Sequence, residues 1–179
     1  MPRAPLIIDT ARLRLRSWQV RERDAFAALH ADPAVMQDYG GPIDRAASDA
    51  KLNRYRAAYD RRGICRWAIE TRAGDFLGYA GVMPVDASHP LGAHFDIGWR
   101  LKRAAWGSGY AVEAAEAALD DAFRRPGLSE VLAYTSADNL RSQATIARLR
   151  LQRDAVRDFV AEYEGPGSWR GLVWVARRH

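Results

Sequence analysis

The stretch Arg103-Ala-Ala-Trp-Gly-Ser-Gly-Tyr-Ala-Val-Glu-Ala-Ala115 sets a basic residue and a glycine-rich turn directly before an amphipathic helical pattern. The start of a helix leaves several backbone N–H groups without partners and carries partial positive charge, so it can hold an anion. Gly107 and Gly109 let the backbone take positive φ and approach a ligand with no Cβ in the way. The segment therefore reads as a phosphate cradle. A Walker A loop would need lysine and then serine or threonine after the second glycine, but Tyr110-Ala111 stand there. A dinucleotide fingerprint would need glycine or alanine at Val112 and an early strand–turn–helix in a parallel series. On the turn alone, an anion site and a plain strand-to-helix connection both stay open.

Other chemistry-bearing residue types are sparse. Cys65 is the one cysteine, which excludes an internal disulfide and a cysteine-based zinc site. It lies in the alternating run Ile64-Cys-Arg-Trp-Ala-Ile69 and reads as a small core residue, with a nucleophile as the alternative. His30, His89, His94 and His179 show no paired metal-ligand spacing, so no metal is expected. The formal net charge of +5 favours anionic ligands in general. The arginines that carry it are scattered rather than gathered into a stripe with interleaved aromatics, which argues against nucleic acid. The N-terminal Met-Pro-Arg-Ala-Pro lacks the apolar run of a signal peptide, and no segment approaches a membrane span, so a cytoplasmic protein is expected.

The elements that must position the cradle follow from periodicity. Arg12-Leu-Arg-Leu-Arg16 alternates like a half-buried strand, leucines in and arginines out. Val20 to Ala31 suits a helix broken at Asp32-Pro33, and Asp44 to Arg61 a second one stopped at Gly63. Three strands follow at Cys65–Thr71, Phe76–Pro84 and His94–Leu101, the first two joined by Ala73-Gly74-Asp75. The helix after the cradle carries an apolar face of Ala111, Ala114, Ala115, Ala118, Ala122 and Phe123. Glu130–Ser136 reads as a strand and Asn139 to about Leu151 as a helix. Two last strands occupy Asp154–Glu162 and Trp169–Arg177, separated by Gly165-Pro166-Gly167. A length of 179 residues suits one domain over 1–179, of α/β class with a mixed sheet.

In this order the chain resembles the Gcn5-related N-acetyltransferase superfamily, and within it the branch that acetylates alanine or serine N-termini of ribosomal proteins. Arg103, Trp106, Gly107, Ser108, Gly109, Tyr110, Ala111, Glu113 and Ala114 match its glycine motif. Thr10 to Arg16, Asp32-Pro-Ala-Val-Met36, Phe76 to Val82, Asp96 to Leu101 and Asn139-Leu-Arg-Ser142 match further segments in order, so the likeness runs from about residue 10 to residue 152. It implies a central, mostly antiparallel mixed sheet of about six to seven strands flanked by about four helices. It implies acetyl-CoA as co-substrate, its diphosphate held by backbone N–H groups from Trp106 to Ala111 with Arg103 assisting by charge. The pantetheine arm would lie along the fourth main strand, at Ile97, Trp99 and Leu101. Asn139 would contact the pantetheine or acetyl end, or act only as a helix cap.

The same resemblance places candidate catalytic groups. Asp96 stands where the family usually has glutamate, as base or amine-orienting group, or as a strand carboxylate paired with an arginine. His94 shares its sheet face. Ser142 would hydrogen-bond the departing thiolate, or be a plain first-turn serine. An N–H near Trp99 or Arg100 would polarise the thioester carbonyl. Arg150 replaces the glycine that usually ends the following helix, which predicts loss of the left-handed stop there. Trp18, Tyr39, Tyr55, Trp67, Tyr79 and Trp174 are available either to an acceptor pocket or to core packing. The expected activity is acetyl transfer to a primary amine, either a protein N-terminus or a small molecule, with a non-catalytic acyl-CoA sensor as the alternative. The expected partners are the acyl donor and the amine acceptor, with a homodimer as an option.

Overall fold

In a computed structural model of the chain, which describes residues 6–162 and 167–178, the alternating N-terminal segment forms strand β2 (Leu13–Arg16), paired with a short preceding strand β1 (Ile7–Asp9). Leu13 and Leu15 are fully buried, as the alternation predicts. Arg16 is not turned out to solvent. It is buried and bridges Glu22 and Glu70 at 2.9 and 2.7 Å, because two carboxylates from neighbouring elements stabilise its charge away from water.

Helix α1 (Arg23–Ala31) follows a 3-10 turn at Val20–Glu22, and helix α2 (Arg45–Arg62) starts where the Asp44 carboxylate accepts the Ala47 N–H at 2.8 Å. Strands β3 (Arg66–Thr71), β4 (Phe76–Val85) and β5 (His94–Leu101) form an antiparallel meander. Helix α3 (Tyr110–Phe123) comes next, with Ala114, Ala115, Ala118 and Ala122 buried against β4 and β5. Side chains this small let the helix axis lie close to the sheet. Strand β6 (Glu130–Thr135), helix α4 (Leu140–Arg148), and strands β7 (Gln152–Arg153), β8 (Phe159–Glu162) and β9 (Ser168–Arg177) complete the chain. The sheet runs β1-β2-β3-β4-β5-β6-β9-β7, with β8 also on β9. The class is the expected mixed α/β one with four α-helices.

Among the described residues the strand count is nine rather than six to seven. Besides β1, the difference is β7, which lies just before the segment read as one strand from Asp154, and that segment is itself shortened to β8. A 3-10 turn at Ala155–Arg157 precedes β8, and Asp158 accepts both the Arg153 guanidinium at 2.7 Å and the Val173 N–H at 3.1 Å. Those bonds hold the bend and leave β7 and β8 as separate short strands. Of the turn expected before β9, residues 165 and 166 lie outside the described residues, as do residues 1–5 and 179.

The end of α4 corrects a second expectation. Arg150 takes φ 55°, the left-handed conformation that glycine would supply, so the stop is kept without the glycine. Its N–H donates to Ala147 O at 3.1 Å and that of Leu151 to Ile146 O at 3.4 Å, the paired bonds of a Schellman ending. Leu151 and Ile146 both pack into the core, and that contact holds the turn. Among the described residues no helix is long and apolar enough to cross a membrane.

Candidate active site

Strand β5 pairs with β4 along its whole length, from Leu101 opposite Gly78 to His94 opposite Val85. On its other edge it meets β6 in parallel at a single register pair, Asp96 opposite Leu132. Beyond that pair the two strands part. Lys102 donates its N–H to Leu77 O on β4, so counting back by twos turns the peptide groups of Leu101, Trp99 and Ile97 toward the gap. A strand edge is thus left open in the middle of a sheet, next to a cavity of about 630 Å³. A second, smaller cavity of about 70 Å³ lies toward the cradle. Asp38, Trp99, Arg100 and Ser142 line both, so the two meet at these residues.

The cradle itself has the predicted conformation. Gly107 and Gly109 take φ 77° and 78°, and Gly109 caps α3. A Cβ added to Gly107 would meet nothing within 4 Å, so the space over the turn is open to a ligand. The Trp106 N–H is already donated to Arg103 O at 3.1 Å, and the donors of the cradle therefore begin at Gly107 and continue through Ser108, Gly109, Tyr110 and Ala111. Arg103 is largely exposed and holds Asp32 at 3.1 Å. The Trp106 indole donates to Leu101 O at 2.9 Å, and Arg141 lies over its ring at 3.4 Å. From outside, Arg12 reaches Ser108 O at 2.8 Å and Glu113 at 2.7 Å, while Thr10 donates to Glu113 at 2.6 Å. Burial opposes the Glu113 charge, but these donors outweigh it and hold the carboxyl below the usual glutamate range.

Asp96 projects into the larger cavity near its single β6 contact. Its Oδ2 takes the Arg66 guanidinium at 2.8 Å, and its Oδ1 is buried without a hydrogen-bond donor among the described residues. The neighbouring Tyr134 phenol is pushed well above its ordinary range by burial and then by the Asp96 charge, so it keeps its proton. That proton has another acceptor. His94 points Nδ1 at Gly92 O, 2.8 Å away, which requires Nδ1–H and leaves Nε2 to accept from Tyr134 at 3.3 Å. His94 is thereby engaged in a tyrosine–histidine pair, and its ring also packs edge-on to His89.

Asn139 caps α4, accepting the Ser142 N–H at 3.2 Å and donating to the Thr135 and Ser142 hydroxyls at 2.9 and 3.1 Å. The cap and the lining of the smaller cavity are the same residue, and the donation orients the Ser142 Oγ. Arg100 grips Asp38 at 2.8 Å through Nη1, joining β5 to the segment after α1. Under that pair lies an aromatic group from α1, α2 and β4. Tyr55 and Tyr79 meet edge to face with ring centroids 5.4 Å apart, and the Tyr79 hydroxyl lies 3.2 Å from His30 Nε2. Burial works to raise the Tyr79 phenol, yet the Lys51 and Arg100 cations pull it below its ordinary value.

The structure thus gathers Asp96, Ile97, Trp99, Arg100 and Ser142 around the larger cavity, and Leu101, Trp106, Ala111 and Asn139 around the smaller one. Of the six aromatic candidates, Tyr39, Tyr55 and Tyr79 face the larger cavity, whereas Trp18 and Trp67 are core and Trp174 packs against it. Cys65 is fully buried, and burial pushes its thiol up, which leaves the core role. Arg66, Asp38, Lys51 and Tyr134 were missed. Arg66 sits between buried Cys65 and Trp67, where strand alternation reads a charge as solvent-facing, so no local signal marked it.

The acetyltransferase (GNAT) domain family matches residues 12–152, and the chain belongs to that family. Its members use acetyl-CoA as acyl donor, and the open space over the Gly107–Gly109 turn fits such a ligand. The FsC-acetyl coenzyme A-N(2)-transacetylase of Aspergillus fumigatus is 30% identical over 166 residues, covering 89% of this chain and 69% of that one. The crystal structure of an acetyltransferase from Agrobacterium tumefaciens superposes with a TM-score of 0.80 at 26% identity, over 97% of this chain and 95% of that one. RimL, a ribosomal L7/L12 alpha-N-protein acetyltransferase solved with coenzyme A, shares the fold with a TM-score of 0.73 at 15% identity, over 96% and 98%.

Proposed function

We propose that this acetyltransferase acts on a primary amine, with direct transfer from acetyl-CoA in one ternary complex. The observation that carries the reading is the meeting of the two cavities at Ser142, Trp99, Arg100 and Asp38, beside the open edge of β5. Acetyl-CoA supplies the activated acetyl group. Its diphosphate is assigned to the N–H groups from Gly107 to Ala111, with Arg103 adding charge, and its pantetheine amides to the peptide edge of Ile97, Trp99 and Leu101. Trp106 and Asn139 wall the channel between.

The amine would enter from the larger cavity. The Asp96 Oδ1, which has no hydrogen-bond donor among the described residues, can accept an N–H and orient the nitrogen, while Arg66 keeps the carboxylate fixed. An α-amine has an ordinary pKa near 8, so removing its proton at neutral pH needs only a weak base. The Ser142 hydroxyl, held by Asn139, can donate to the departing sulfur. The amine reading is supported further by relatives and fold neighbours whose names specify N-acetylation.

Thiol release from acetyl-CoA, measured with peptides, amino acids, polyamines and amine-bearing antibiotics, tests the reading. Turnover with at least one class of amine is expected, and Asp96→Asn should lower kcat/KM by about 100-fold or more while acetyl-CoA affinity is unchanged. Acetyl-CoA binding without turnover on any amine, together with an indifferent Asp96→Asn, would instead favour a sensor.

A further inference from the structure

The α2 wall of the larger cavity carries two cations that have no ion-pair partner among the described residues. Most arginines of the chain hold a carboxylate, including the two others that line this cavity, Arg66 on Asp96 and Arg100 on Asp38. Lys51 is different. It is 7% exposed and lines the cavity, and no carboxylate among the described residues pairs with it. Its Nζ sits over the Tyr39 ring, 4.1 Å from the centroid. Arg54, three residues on along the same helix face, also lines the cavity without an ion pair among the described residues.

A lysine buried to this degree without a counter-ion is costly, and a single cation–π contact offsets only part of that cost. The missing partner is an anion that arrives with a ligand. The placement is also directional. Lys51 shares the Tyr39 ring with Arg100, which puts it close to where the two cavities meet. The acidic side chains of the lining that lack an arginine are Asp86, bonded to Ser88 within its own turn, and Glu162. Asp86 follows Val85, which pairs with His94 at the far end of β5, about 20 Å along the strand from Arg100. An anion is therefore accepted at the α2 wall beside the transfer point and repelled at the other end.

We infer that the acceptor is an amine bearing a carboxylate, as in a free amino acid or an acidic peptide, with the carboxylate seated on Lys51 and Arg54. This rests on the amine-acetylation reading above. A monoanion matches the one nearly buried charge, and the volume admits more than a single amino acid. Polyamines, which would bring further positive charge against Lys51 and Arg54, are disfavoured.

The test compares matched acids and amides on wild type, Lys51→Met and Lys51→Arg. Wild type should acetylate a free amino acid with kcat/KM at least tenfold above that for its C-terminal amide. Lys51→Met should lose that preference by lowering the acid alone, Lys51→Arg should restore most of it, and acetyl-CoA affinity should not move. In parallel, calorimetry on the CoA-loaded protein should show the N-acetylated acid binding at least tenfold tighter than its amide in wild type but not in Lys51→Met. Equal handling of acid and amide by wild type, or equal loss of both in Lys51→Met, overturns the inference. If no amine is turned over but the calorimetric preference persists and needs Lys51, the anion seat stands and the amine-acetylation reading fails.

Discussion

Arg12 and Glu113, a hundred residues apart in the chain, close on each other across the outside of the glycine turn. The Arg12 Nε lies 2.7 Å from Glu113 Oε2, its N–H 2.8 Å from Oε1, and its Nη1 2.8 Å from Ser108 O. The pair therefore ties the hairpin between β1 and β2 to both the turn and the first turn of α3. Arg12 is about half exposed, so the ion pair adds little to global stability, about 0–1 kcal/mol. Its effect should fall on the cradle. Arg12→Ala should weaken acetyl-CoA binding by about 3- to 10-fold, within the range that misplaced positioning groups cost, with almost no change in Tm. Calorimetry paired with thermal denaturation reads both. A loss of stability without a loss of affinity would show that the pair holds the hairpin only.

Gly107→Ala separates the phosphate role of the turn from its shape. The added Cβ meets no protein atom, so the folded chain bears only the cost of a left-handed alanine, about 1–2 kcal/mol. In the complex the same methyl would stand where the diphosphate approaches. Acetyl-CoA should bind at least tenfold more weakly, whereas an acetyl-pantetheine lacking the diphosphate should bind both proteins alike. Equal weakening of the two ligands would point to a distorted turn rather than a blocked phosphate.

The cradle was legible because glycine, helix start and preceding strand are all local signals, and α3 followed from its alanine face. The pairings that finish the site join residues far apart in sequence. Asp96 was singled out, but its partner Arg66 comes from a strand 30 residues earlier and sits where alternation points to solvent. Arg16 failed the same rule for the same reason, since the acids that draw it inward, Glu22 and Glu70, belong to other elements. Lys51 lies on a long polar helix, and only the fold shows which of its faces meets a cavity. A strand as short as β7 carries too few residues for a period to register.

Arg150 makes a stability prediction of its own. A left-handed arginine costs roughly 1–2 kcal/mol against a relaxed conformation, and glycine removes that cost while adding freedom to the unfolded chain. The net for Arg150→Gly should be a gain of about 1 kcal/mol, or about 2–4 °C in Tm for a domain of this size. The side chain is exposed and forms no ion pair among the described residues, so little else is lost. Acetyl-CoA affinity should be untouched. A lower Tm would mean that the guanidinium contributes more than its backbone strain costs.

His30 sets an acid limit on stability. The ring is fully buried, and burial, only partly opposed by its bond to Phe26 O at 2.8 Å, lowers its pKa to about 4 from 6.5. The unfolded chain therefore takes up this proton first as pH falls. Between pH 6.5 and 4 the unfolded state binds more protons than the folded one, so stability rises with pH across that window. Above pH 6.5 the contribution is fully present, and it is lost progressively on acidification toward the folded value. From pH 7 to pH 5 the loss traceable to this ring should be about 2 kcal/mol. His30→Gln keeps a polar group toward Tyr79 but cannot titrate, so its urea midpoint should change less over the same interval. Because Tyr79 faces the acceptor cavity, the variant should also shift KM for the amine more than Kd for acetyl-CoA. Parallel pH profiles of unfolding for wild type and His30→Gln would show that another buried group, with Glu22 the foremost, governs acid lability.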